Sequence, residues 1–99
     1  MMSLWKFDVN YFRHGHIFGL FIAEESKVLQ AIHSGQTVYF GEILGKYSEI
    51  TYDFRDHDFV KILLSQETLQ ELCDAFQSTD LVGINPLNYI GEEEEGEEI

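Results

Sequence analysis

The sequence predicts an α+β fold: a five-stranded, mostly antiparallel sheet in the element order ββαβββα, with two helices packed mainly on one face. Three observations carry this reading. Two stretches alternate apolar and polar residues around glycine-containing turns, two others space apolar residues at helical intervals, and a short apolar run between them reads as a strand. At 99 residues, 44% hydrophobic and 14% aromatic, the chain has the apolar surface for one core and no length for a second. Residues 1–90 are therefore expected to form a single compact domain. Residues 91–99, where the composition changes at Gly91 to EEEEGEEI, are expected to form an acidic, flexible tail.

The segments LWKFDVNYFR and HIFGLFIA read as a hairpin turning at His14-Gly15, where glycine supplies positive φ. Pairing Arg13 with His16 sets Trp5, Phe7, Val9 and Tyr11 on one face with Phe18, Leu20 and Ile22, leaving Lys6, Asp8, Asn10 and Gly19 on a wetter face. Glu24 and Glu25 open a short helix in which Val28, Leu29 and Ile32 follow helical spacing, His33 occupies the last turn and Gly35 stops it. A second hairpin, TVYFGEILGKYSEITYDF, turns at Gly45-Lys46. Its register sets Tyr39, Ile43, Ile50, Tyr52 and Phe54 on the core face and Val38, Phe40, Glu42, Glu49, Thr51 and Asp53 on the other.

The polar turn Arg55-Asp56-His57-Asp58 leads into FVKILL, apolar on both alternating sets except at Lys61, as for a strand covered on both faces or central in its sheet. Ser65 caps a helix with Leu69, Leu72, Cys73 and Phe76 at i, i+3, i+4 and i+7, onto which Leu64 can staple. The segment DLVGINPLNYI is expected to run extended back to the body, because Leu81, Val82, Ile84, Leu87 and Ile90 need cover.

Charge narrows the function classes. Eighteen Asp and Glu stand against six Lys and Arg, a formal −12, and with the tail removed the body still holds twice as many acids as cations. Nucleic acid and anionic membrane carry the same sign and are repelled, so cationic protein surfaces are the expected partners. The one cysteine has no disulfide partner in the chain, and no Cys/His array offers a zinc site, which predicts a reducing, cytoplasmic setting. The longest apolar run, Ile17 to Ala23, is too short to cross a bilayer, so neither a signal peptide nor a membrane anchor is expected.

No pattern demands catalysis, a metal or a cofactor. Glu42 and Glu49 face each other across the second hairpin, and adjacent carboxylates can split their pKa values, but like charges in that position equally suit a solvated or partner-binding face. His14, His16 and His57 meet no recognised ligand spacing, Cys73 lies on an apolar helix face, and GEILGK lacks the phosphate-loop spacing. The expected binding surface is acidic: Glu42, Glu49, Asp53, Asp56 and Asp58, together with Asp8, around Phe40 as an exposed aromatic anchor for a basic groove.

In composition the chain resembles the nucleic-acid-mimicking inhibitors of phages and other mobile elements, including anti-restriction and anti-CRISPR proteins. The resemblance implies a non-enzymatic inhibitor that blocks a basic surface of a nucleic-acid-binding or defence protein by steric and electrostatic competition. Two further classes are compatible with the sequence. One is a small-molecule binder that sequesters a signalling nucleotide, stacking it on Tyr39, Phe40, Tyr47 and Tyr52 with Arg13, His14, His16 and Lys46 near its phosphates. The other is a small enzyme using Glu42 and Glu49 or the histidines. Self-association through an open sheet edge is compatible with the sequence but opposed by its charge.

Overall fold

The computed structural model describes residues 2–11, 15–41 and 50–90. It is α+β, with strands β1 (Met2–Asn10), β2 (His16–Glu24), β3 (Thr37–Gly41), β4 (Ile50–Asp53), β5 (Phe59–Ile62) and β6 (Asp80–Gly83), and helices α1 (Glu25–Ser34) and α2 (Gln66–Phe76). The strands divide into a four-stranded antiparallel sheet, β5-β1-β2-β6, and a separate ribbon, β3-β4. The predicted class holds, but the single five-stranded sheet becomes two sheets, and DLVG adds a strand at the edge.

The first hairpin pairs Asn10 with His16 and Val9 with Ile17, three residues away from the predicted register. An odd shift reverses every side chain of one strand. Trp5, Phe7 and Val9 therefore share a face with Ile17, Gly19, Phe21 and Ala23, while Leu4, Lys6 and Asp8 share the other with Ile22, Leu20 and Phe18. The predicted His14-Gly15 turn lies partly, and the Gly45-Lys46 turn and the tail wholly, outside the described residues.

The first of these faces, here the inner face, carries the main core. Val28 and Ala31 of α1 pack there, with Val38, Phe40, Ile50 and Tyr52 of the ribbon and Phe54 just beyond it. The opposite, outer face holds a smaller cluster of Leu4, Ile22 and Leu69, joined by Ile62, Leu72, Cys73 and Leu81. The two helices consequently lie on opposite faces, correcting the expectation that both pack mainly on one. Leu4 and Ile22, displaced to the outer face by the register, supply the apolar seat that α2 needs.

Both helix ends follow the sequence signals. Gly35 takes a left-handed conformation (φ 64°) and ends α1, and the Ser65 hydroxyl oxygen accepts from the Thr68 N–H at 3.1 Å to start α2. FVKILL is an edge strand and not a central one, ending at Ile62, with Val60 half-exposed. Beyond β6, the chain turns at Gly83 (φ 70°) and crosses onto the inner face, where the Ile84 N–H donates to the Phe18 carbonyl at 3.0 Å. Ile84, Leu87, Tyr89 and Ile90 then pack against the main core, giving the last segment the cover its sequence calls for.

Candidate functional site

The ribbon corrects the expected acidic face at its centre. Gly41 opposes Ile50, as predicted, but Tyr39 opposes Thr51 and Val38 opposes Tyr52, so Phe40 is an extra residue in a bulge at Gly41, whose φ is 76°. One inserted residue exchanges the faces. Phe40 is only 4% exposed, stacked on Tyr52 at 5.9 Å and edge-on to Tyr89 at 4.8 Å, whereas Tyr39 points outward. Phe40 is thus a core ring and offers no anchor to a partner.

The carboxylates are divided in the same way. Asp53 is exposed and accepts from the Thr37 hydroxyl at 2.6 Å across the ribbon, and Asp56 is exposed in a 3-10 turn, Asp56–Asp58. Asp58 is buried, and Glu42 and Glu49 lie outside the described residues. Asp58 Oδ2 accepts from the Tyr52 hydroxyl at 2.8 Å and from Arg55 Nε at 3.3 Å, while the Arg55 N–H donates to the Tyr52 hydroxyl at 3.3 Å. Burial, and then the bond to Asp58, push the Tyr52 phenol well above its ordinary range, so it stays a protonated donor. Buried, with two bonds on Oδ2 and His57 Nε2 3.6 Å from Oδ1, Asp58 locks the turn into β5.

A second acidic surface, absent from the sequence reading, lies on α2. Glu67, Glu71 and Asp74 fall at i, i+4 and i+7 and are all exposed, on a helix that contains no Lys, Arg or His. Glu67 and Glu71 repel at this spacing, and Gln70, donating to Asp74 at 3.0 Å, brings no charge. Elsewhere the described cations are partly committed: Arg55 to Asp58, and Lys61 to Glu25 at 3.0 Å. The i, i+4, i+7 spacing was visible in QETLQELCDAF, but the apolar stripe of the same helix drew the reading to its buried side.

Beside α2, no described residue covers the outer face of the sheet. Hydrogen-bonded neighbours across all four strands form the row Val60, Lys6, Leu20 and Val82, followed by Asp8 and Phe18. Val60 is 51%, Val82 46% and Phe18 38% exposed. His16, at the far end, pairs with Asp8.

A cleft of about 600 Å³ opens between α1 and the 85–90 segment, lined by Lys27, Gln30, Ser34, Asn85, Leu87 and Asn88 among others. Among the described residues it gathers none of Tyr39, Phe40 and Tyr52, and Tyr47 lies outside the described residues. Among the described residues no group of three or more His, Cys, Asp or Glu is arranged to hold a metal, and no helix is long and apolar enough to cross a membrane. No protein-family model, curated protein or solved structure matches the chain. The functional reading therefore rests on this surface chemistry.

Proposed function

We propose that this is a non-enzymatic binding protein that occupies a basic surface of a nucleic-acid-handling protein, acting as an inhibitor by charge and shape. The observation that carries the reading is the Glu67, Glu71 and Asp74 stripe, which has no cation on its own helix. Repulsion along such a stripe costs the isolated protein a few tenths of a kcal/mol per like-charged pair, roughly, and a cationic partner reverses that cost. Asp53 and Asp56 are further exposed acids, on the ribbon side. The cleft beside Lys27 supports a second reading, binding of a small polar ligand, whose sign is a rise in the thermal midpoint when that ligand is added.

Affinity capture from lysate with stepwise salt elution tests the first reading. The expected capture is a basic nucleic-acid-handling protein released by moderate salt, with at least tenfold weaker retention by the triple variant Glu67→Gln, Glu71→Gln, Asp74→Asn, because exposed charge pairs are screened within about 10 Å at 0.1 M salt. Retention indifferent to both salt and the triple variant would overturn it.

A further inference from the structure

Helix α2 covers only one end of the outer face, and the topology shows why. It leaves β5 at one edge of the sheet and delivers the chain to β6 at the other, so it crosses β1 and β2 at the level of Leu4 and Ile22. β1 and β2 are nine residues each, about 30 Å long, and a packed helix covers about 10 Å of that length. The rows of Lys6 and Leu20, then Asp8 and Phe18, lie about 7 and 13 Å further along the strands, the place of a second helix in a helix-on-sheet layer.

The flank of α2 that borders this space is suited to a helical neighbour. Gln66 Nε2 donates to the Met2 carbonyl at 3.1 Å, which turns the Gln66 and Gln70 flank toward the strand ends, away from the open rows. The opposite flank, Thr68, Leu72 and Ala75, repeats at i, i+4 and i+7 and is small or apolar, allowing close helix approach. Val60, Leu20, Val82 and Phe18 supply an apolar floor around Lys6, and Glu67 and Glu71 stand on the side of α2 opposite buried Leu69, whereas Asp74 lies toward the Gln70 flank.

We propose that the half of the outer face left open among the described residues seats a basic amphipathic helix of a partner protein, laid beside α2 with its apolar stripe on Val60, Leu20, Val82 and Phe18 and its cations reaching Glu71 and Glu67. The sheet is four strands wide, so a segment of about the length of α2 spans it, about three turns. Charge chooses the occupant. A second copy would bring α2 itself, which has no cation, toward the same acidic stripe, whereas a Lys- or Arg-rich helix meets opposite charge across the helix pair and apolar surface below it. This inference rests on the proposed reading of a basic partner and assigns the surface that binds it.

The test uses the full chain and a synthetic 14-residue peptide with Leu at heptad a and d positions and Lys elsewhere, with a scrambled peptide of the same composition as control. Saturable amide shifts confined to Lys6, Phe18, Leu20, Val60, Val82 and α2, with a helical signal gained by the peptide, are expected in the first case and absent with the scrambled one. Val60→Ser with Val82→Ser is expected to weaken binding at least tenfold, and Tyr39→Ser, on the exposed side of the ribbon, to leave it unchanged; both variants should retain the wild-type unfolding midpoint. Equal binding by the scrambled peptide, or by the Val60 and Val82 variant, overturns the proposed seat. If salt and the α2 triple variant still abolish peptide binding in that case, the basic-partner reading stands without it. Dimerisation of the free protein abolished by Val60→Ser and Val82→Ser also overturns it, in favour of a second copy.

Discussion

Gly19→Ala is expected to prevent stable folding, with a loss greater than about 4 kcal/mol, a large share of the stability of a domain this size. A methyl group at Gly19 would stand 1.8 Å from the Ile84 carbonyl oxygen and 2.7 Å from its carbonyl carbon. Neither can yield like a side chain, because Ile84 is held by its own bond to the Phe18 carbonyl and by the turn at Gly83. Gly83 is equally constrained: it pairs with Gly19, has a φ of 70°, and its added Cβ would meet the Phe18 oxygen at 2.1 Å. The two glycines are the passage by which the chain leaves the sheet edge and crosses onto the inner face. Urea unfolding followed by fluorescence of Trp5, the only tryptophan and buried, measures the effect. A loss below about 1 kcal/mol would mean that the 84–90 segment does not cross there.

Phe7→Ala is expected to cost about 3–5 kcal/mol, the range for deleting a buried aromatic side chain. Phe7 is fully buried, with ring centres 5.0 Å from Tyr52, 5.1 Å from Phe59 and 6.4 Å from Phe40, so it joins β1, β5 and the ribbon in one cluster. Tyr39→Ala is the matching control, expected within about 0.5 kcal/mol because its ring faces solvent. The pair reports on the bulge directly. If Tyr39→Ala cost as much as Phe7→Ala, the ribbon would follow the unbulged register, with Tyr39 inward and Phe40 outward.

The elements of the fold were legible in the sequence, but the faces they present were less so. Helical spacing, Ser65 and Gly35 located both helices, because caps and periodicity act within one segment. Strand faces depend on register, which responds to a single residue. The bulge at Gly41 reversed Phe40 and Tyr39, and the three-residue difference in the first hairpin moved Phe18, Leu20 and Ile22 to the outer face. Glycine was read as a turn signal in both hairpins. At Gly19 its reason is instead the backbone of Ile84, more than sixty residues away in sequence, which no local pattern encodes.

The candidate site was legible in its sign and not in its place. Net charge announced an acidic protein, yet of the expected carboxylates Asp58 is spent on Tyr52 and Arg55, and the anchor Phe40 is core. The surface that replaces them pairs α2 with a half-covered sheet. Seeing it requires the strand order, in which α2 must cross from β5 to β6, and that order follows from long-range pairing and not from any segment alone.

Competition with nucleic acid tests the proposed function most directly. The basic partner recovered by capture would be loaded with labelled duplex DNA and titrated with this protein and with its Glu67→Gln, Glu71→Gln, Asp74→Asn variant. Complete displacement by the wild-type chain, at an apparent affinity that falls steeply with salt, and at least tenfold weaker displacement by the variant, are the results expected. DNA and protein bound to the partner together, or displacement unchanged in the variant, would contradict the proposal that the acidic stripe of α2 takes the place of nucleic acid.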